Sequence, residues 1–297
     1  MKLLAPAYYH RFACIADRCT HSCCIGWEID VDDDTLQKYS ALNAPFGKEL
    51  LQSIDRTDTP HFRLGVNERC PHLEADGLCR IIKELGEGYL CDICREHPRF
   101  YHETAQGLEV GLGMACEEAC RLILSANDYD VFTAEGEAWG NPLPTAFDAT
   151  AERAQIYAVL KNDALPYPTR LQAVAEKYNV SLSCRTDPEW RTLLASLEYL
   201  DNSHCTLFAA YTTNATPSER EHQALERALA YFIFRHCSAA QDAAEFRTNL
   251  ALSLFFERLL ASLIAAKVCT TSEAARILSE ELEYSEENTA AIQKAFP

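Results

Sequence analysis

Leu250-Ala251-Leu252-Ser253-Leu254-Phe255-Phe256-Glu257-Arg258-Leu259-Leu260-Ala261-Ser262-Leu263-Ile264 is the stretch that decides the fold class. Leu252, Phe255, Phe256, Leu259, Leu260, Leu263 and Ile264 recur at i, i+3, i+4, i+7 and i+8, which lays an apolar stripe down one helix face. Followed to Val268, the run carries Glu257, Arg258 and Lys267. It falls short of the roughly 18 uninterrupted apolar residues that a membrane span needs, so no membrane partner is expected. Helix signals surround it. Asp187-Pro188-Glu189 opens a helix expected to run to about Leu200, and Thr216-Pro217 opens one to about His236. Thr270-x-x-Glu273 has capping-box form, and Ser285 stands where a cap for the last helix is expected.

Upstream of this half the composition changes. The Gly/Pro-rich stretch Trp139-Gly140-Asn141-Pro142-Leu143-Pro144 reads as a linker. The expected organisation is a cysteine-rich metal-binding part over 1–125, a linker over 126–150 and a helical bundle over 151–297. In the first part, Trp27 to Asp32 alternates apolar and acidic residues, as a short strand does. His61 to Val66 and Leu108 to Leu112 are expected to pair as a hairpin, and Asp34 to Leu42 and Glu117 to Leu124 to be helical. The fold class is therefore mainly α: a cysteine-rich N-terminal part with a few short strands, followed by a helical bundle.

The chain has 297 residues, 48% apolar and 24% charged, a globular composition long enough to bury a large core. Its 27 Lys and Arg against 44 Asp and Glu leave a net charge of −17. A nucleic-acid partner is not expected, because a phosphate-binding surface shows a basic patch or stripe. Met1 to Ala7 begins like a signal peptide, but Tyr8-Tyr9-His10-Arg11 ends the apolar run too early for export. A cytoplasmic location with reduced thiols is the expectation.

Thiols are the distinctive feature. Ten of the 14 cysteines precede residue 121: Cys14, Cys19, Cys23, Cys24, Cys70, Cys79, Cys91, Cys94, Cys116 and Cys120. In a reducing compartment such a concentration points to metal ligation. The groups are Cys14-x4-Cys19-x3-Cys23-Cys24, Cys70-Pro71-His72-Leu73-x5-Cys79, Cys91-x2-Cys94 and Cys116-x3-Cys120. Short spacings in turns bring sulfurs together at one centre. Cys23-Cys24 requires a tight loop or one side chain turned away, and Gly26 would ease the loop. Cys184, Cys205, Cys237 and Cys269 sit singly in helical patterns and read as small buried hydrophobes. His21, His72 and His97 are close enough in sequence to serve zinc, whereas the excess of thiols suits an iron–sulfur cluster; the residues alone leave both open.

Common enzyme signatures are missing. Gly107-x3-Gly111-x-Gly113 has neither the spacing nor the βαβ setting of a dinucleotide fingerprint. Cys19-x3-Cys23 begins the C-x3-C-x2-C radical motif, but position 26 is glycine. There is no P-loop, HExxH or G-x-S-x-G.

Taken in order, the motifs resemble the flagellin lysine-N-methylase family. They include Cys14-x4-Cys19-x3-Cys23-Cys24-Ile25-Gly26-Trp27, Cys70-Pro71-His72-Leu73-x2-Asp76-Gly77-Leu78-Cys79, and Lys83-Glu84-Leu85-Gly86-Glu87-x-Tyr89-Leu90. Cys94-Arg95-x2-Pro98-Arg99, Cys116-Glu117-Glu118-Ala119-x-Arg121-Leu122, Tyr231 to His236 and Glu283 to Asn288 continue the likeness. The CxxxCC arrangement also resembles that of small zinc- or iron-chelating proteins. The resemblance implies a protein-lysine N-methyltransferase with flagellin as substrate, S-adenosylmethionine as methyl donor and an iron–sulfur cluster, of 4Fe-4S type, with zinc as the alternative. It implies metal ligands among Cys14, Cys19, Cys23, Cys24, Cys70, Cys79, Cys94 and Cys116. Cys91 and Cys120 rank lower, because family members usually carry small non-cysteine residues there. The family is longer in the region matching 126–215. Glu28, Asp30, Glu84, Glu87, Glu117 and Glu118 lie beside the cysteines, but the sequence selects no catalytic base. The rival readings are a non-enzymatic zinc- or iron-chelating module that docks a partner, and an electron-transfer protein.

Overall fold

Six strands and thirteen α-helices make up the regular structure in a computed structural model that describes residues 2–137 and 145–296. The expected linker stretch Trp139 to Pro144 lies outside the described residues. The strands are β1 (Lys2–Pro6), β2 (Ile54–Asp55), β3 (His61–Phe62), β4 (Arg99–Thr104), β5 (Gly107–Leu112) and β6 (Phe132–Glu137). Helices dominate, as the periodicity predicts.

The described chain divides into two units, one over 13–98 and one over 1–12 with 99–297. The smaller unit holds helices α1 (Asp33–Ala41), α2 (Pro45–Gln52), α3 (Arg80–Leu85) and α4 (Asp92–Glu96), with β2 and β3 paired antiparallel. Its core gathers Ile29, Val31, Tyr39, Phe46, Leu50, Ile54, Phe62 and Ile81, together with buried Cys70 and Cys91. Trp27 to Asp32 keeps its expected alternation, since Ile29 and Val31 are buried, yet it forms no strand. Only Asp30 makes a bridge, to His61, and the Val31 amide donates to Pro60 O at 2.7 Å. Asp32 caps α1 by accepting from the Thr35 amide at 2.8 Å, and also accepts from the Asp92 amide at 2.8 Å. One carboxylate thus holds two helix N-termini together.

In the larger unit the sheet order is β4-β5-β1-β6. β1 runs parallel to β5, Leu3 opposite Leu108, and antiparallel to β6. β5 pairs with its neighbour β4, Arg99 opposite Leu112 through Thr104 opposite Gly107. The expected pairing of 108–112 with 61–66 does not form, because the Thr104–Gly107 turn closes a local hairpin at less entropic cost. β6 lies within the stretch 126–150 read as linker, where its pairing with β1 makes it part of the sheet.

Nine helices complete this unit: α5 (Glu117–Ser125), α6 (Ala149–Leu160), α7 (Tyr167–Lys177), α8 (Asp187–Ala195), α9 (Cys205–Phe208), α10 (Glu219–Cys237), α11 (Ala243–Ala266), α12 (Thr271–Leu278) and α13 (Glu286–Gln293). Their starts follow the cap chemistry. Thr186 with Glu189 and Ser218 with Glu221 form capping boxes, so the α8 and α10 caps fall at residues beside those read from sequence. Thr270 and Ser285 cap α12 and α13 as expected. α11 corrects one expectation. By length and composition it could cross a membrane, although 78% of its most apolar window is buried inside the protein, as in a core helix. Phe232 of α10 meets Phe256 of α11 with ring centroids 5.4 Å apart, and Trp190 of α8 meets Phe255 at 4.4 Å.

Candidate metal centre

Cys23 and Cys24 sit in a tight loop closed by the Ile25 amide on Ser22 O at 3.1 Å. Gly26 follows with φ +82°, a conformation that costs a side-chain-bearing residue energy. The loop lies alongside the Cys70 segment: the Cys70 amide donates to Cys24 O at 2.8 Å, and Gly26 N donates to Glu68 O at 3.1 Å. Past Cys70, the chain turns through Asp76-Gly77 so that Leu73 bridges Cys79. Cys79 and Cys91 are the residues that cap α3 and α4. Free backbone amides at a helix start favour a negatively charged sulfur.

Within this unit these sulfurs lie close enough to feel one another's charge. Cys70 responds to Cys24, Cys79 and Cys91; Cys79 to Cys24 and Cys91; and Cys94 to Cys91, Cys24 and Cys23. Burial pushes the Cys70 thiol up to about 12, against the amide of His72. Burial also raises Cys79, and the amides of Ile82 and Ile81 oppose it. Two thiols go the other way. A hydrogen bond with Cys23 lowers Cys24 to about 7, helped by Ser22 and Arg69, and a hydrogen bond with Cys94 lowers Cys91. The cost falls on Cys94, which is raised. Tyr39 is fully buried with its hydroxyl donating to Tyr89 O at 2.8 Å, within electrostatic reach of Cys91, Cys94 and Cys79.

Cys23, Cys24, Cys70, Cys79, Cys91 and Cys94 are therefore brought together within one unit. Cys91, which the resemblance ranked lower, belongs to the group. Its signal was the Cys91-x2-Cys94 spacing itself. Cys14 and Cys19 lie in the same unit with local bonds, Ala16 N to Cys14 Sγ at 3.4 Å and Cys19 Sγ to His21 O at 3.2 Å. Cys116 belongs to the larger unit, where it caps α5 and has Cys120 and Tyr284 as neighbours. The His72 Nε2 meets Ser53 Oγ at 2.8 Å and the ring stands edge-on to Phe62 and Phe46, while its buried Nδ1 has no hydrogen-bond partner among the described residues.

The sulfur atoms do not close in threes to within 4.8 Å; among the described residues the group that does is His204, Glu280 and Glu281. That group is already saturated. Glu281 accepts from Leu200 N at 2.7 Å, Asp201 N at 3.1 Å and His204 Nδ1 at 2.6 Å, and Arg276 holds Glu280.

Among the acids beside the cysteines, Glu84 is paired with Arg80 and Glu118 with Arg121, while Glu28 lies 3.9 Å from His61. Sequence reasoning missed the buried acids Glu109, Glu257, Glu281 and Glu283, all in the larger unit. The glycines of 107–113 serve packing. A Cβ at Gly111 would strike the rings of Phe100 and Phe234, and one at Gly113 would strike the Tyr284 hydroxyl.

Comparison with known proteins agrees with the family resemblance. The flagellar biosynthetic protein FliU of Salmonella muenchen is 31% identical over 133 residues, which are 41% of this chain and 77% of FliU. The chain belongs to the flagellin lysine-N-methylase family. The Lysine-N-methylase of Salmonella typhimurium is 32% identical and that of Salmonella choleraesuis 31% identical, each over 133 residues, 41% of this chain and 32% of the relative. The chain spans about a third of the length of these two methylases. No protein-family profile matches the chain, and no solved structure matches it.

Proposed function

We propose that this member of the flagellin lysine-N-methylase family is a cytoplasmic protein-lysine N-methyltransferase acting on flagellin, with S-adenosylmethionine as methyl donor and an iron–sulfur cluster of 4Fe-4S type. The observation that carries the reading is the convergence of Cys23, Cys24, Cys70, Cys79, Cys91 and Cys94 in a chain with these relatives. An all-sulfur donor set suits zinc or iron–sulfur centres. Thiolates on a single tetrahedral zinc stand about 3.8 Å apart, from a Zn–S distance of about 2.3 Å. The preference for a cluster over zinc rests on the family resemblance. The amides of His72, Ile81 and Ile82 acting on Cys70 and Cys79 are the kind of support that tunes such a centre. When bound, a cluster would supply a charged, redox-active inorganic surface beside the substrate.

The protein's own task is defined by the acceptor. Lysine has an ordinary pKa of about 10.4, and only its neutral amine attacks a methyl group. The site must desolvate the amine, accept its proton and hold nitrogen, carbon and sulfur in line. The test is methyl transfer from labelled S-adenosylmethionine to flagellin, read by mass spectrometry with anaerobically purified protein. Labelled flagellin lysines are expected, together with broad visible absorption and acid-labile sulfide.

One observation favours a second reading. Glu84 and Glu118 are tied to arginines, which leaves them poorly placed as proton acceptors. A zinc- or iron-chelating module that docks a partner would need no base. A colourless, zinc-containing protein without methyl transfer would support that module.

A further inference from the structure

Within the larger unit, a cavity of about 510 Å³ opens between α7, α11 and the loops before α8 and α10. Leu171, Ala175 and Leu254 give it apolar walls, and Tyr167, Glu257 and Arg258 its polar features. Glu257 is only 2% exposed. The Tyr167 hydroxyl, itself buried, donates to Glu257 Oε1 at 3.0 Å. Among the described residues no hydrogen bond is made to Oε2, and Glu257 is part of the cavity lining. A carboxyl buried without a counter-charge at bonding distance is costly to ionise. Here burial raises its pKa to about 7, opposed by the Tyr167 hydrogen bond and by Arg258.

A cavity lined by apolar residues together with two acids, exposed Glu176 and buried Glu257, and the cation Arg258 can take a ligand with both an apolar and a charged part. A long alkyl stem gains from apolar contact while its charged head needs a partner. We propose that this cavity binds a primary alkylammonium group, as on a lysine side chain, with the methylenes along Leu171, Ala175 and Leu254 and the ammonium donating to Glu257 Oε2. Tyr167 holds the carboxyl in place. The site stands on the cavity alone; only the choice of lysine as probe rests on the lysine-methylase reading.

The experiment is a calorimetric titration of the full chain with Nα-acetyl-lysine amide and with Nα-acetyl-norleucine amide, which lacks the ammonium. Saturable binding of the lysine compound is expected, at least tenfold tighter than that of the norleucine compound. Glu257→Gln, which keeps the shape and removes the charge, is expected to weaken lysine binding at least tenfold. Ala175→Leu, which fills the channel, is expected to do the same with an unchanged circular dichroism spectrum. No saturable binding, equal affinity for the two compounds, or undiminished binding in either variant overturns the proposal. The titration needs neither metal nor methyl donor, so its failure leaves the methyltransferase reading standing. Failed methyl transfer with intact lysine binding separates the two in the opposite direction.

Discussion

The Cys70 amide donates to the carbonyl of Cys24 at 2.8 Å. This bond joins two thiol-bearing segments that are far apart in the chain, and it fixes them before any metal is considered. A metal arriving there would find Cys24 and Cys70 already side by side, with less ordering entropy left to lose.

Iron and sulfide content should follow the tertiary grouping. Cys24→Ser, Cys70→Ser, Cys79→Ser, Cys91→Ser and Cys94→Ser are each expected to lower bound metal to less than half of wild type. Cys184→Ser and Cys237→Ser should retain it. Cys91→Ser is the sharpest member, because the structure includes it and the family resemblance ranked it below the others. Full retention in Cys91→Ser with loss at Cys79 would contradict the arrangement.

Buried Arg153 grips Glu109 with both ends of its guanidinium, Nη2 to Oε1 at 2.6 Å and Nη1 to Oε2 at 2.7 Å. Arg153→Ala leaves Glu109 buried without its counter-charge and should cost about 3–5 kcal/mol in urea unfolding. Replacing both, as Arg153→Met with Glu109→Leu, should recover most of that loss. If the single variant unfolds at the wild-type midpoint, the pair is not the buttress described.

Glu257 should make stability depend on pH. Its folded pKa, about 7, lies above the ordinary carboxyl value, so the folded state holds this proton more tightly than the unfolded state does. The stabilisation is full below the unfolded pKa of about 4.3 and is lost as pH rises through about 7, a change of about 3 kcal/mol. Glu257→Gln should flatten the unfolding free energy between pH 5 and about 8. A slope unchanged by the substitution would remove Glu257 as its source.

Gly113 lies so close to the Tyr284 hydroxyl that a Cβ there would overlap it. Gly113→Ala should cost about 1–3 kcal/mol by overpacking. A thermal unfolding midpoint equal to wild type would show that the close approach is not enforced.

Much was legible in the sequence where the deciding forces are local. The α11 helix, the Thr270 and Ser285 caps, and the turn around Gly26 depend on neighbouring residues and appear where their residues put them, although α11 is buried nearly all round over 250–264 rather than along one stripe. The hairpin partner of 108–112 and the strand at 132–137 were missed. Strand pairing is a choice among distant segments that share the same alternation.

The amino-acid order by itself determined a mainly helical chain with its thiols concentrated early, because helix periodicity, capping and cysteine spacing are short-range properties. Only the tertiary structure decided that Cys91 joins Cys24, Cys70, Cys79 and Cys94 while Cys116 falls in the larger unit, and that Glu257 is buried beside Tyr167. Burial and convergence come from packing between residues remote in the chain, and no spacing along the chain encodes which remote residues will meet.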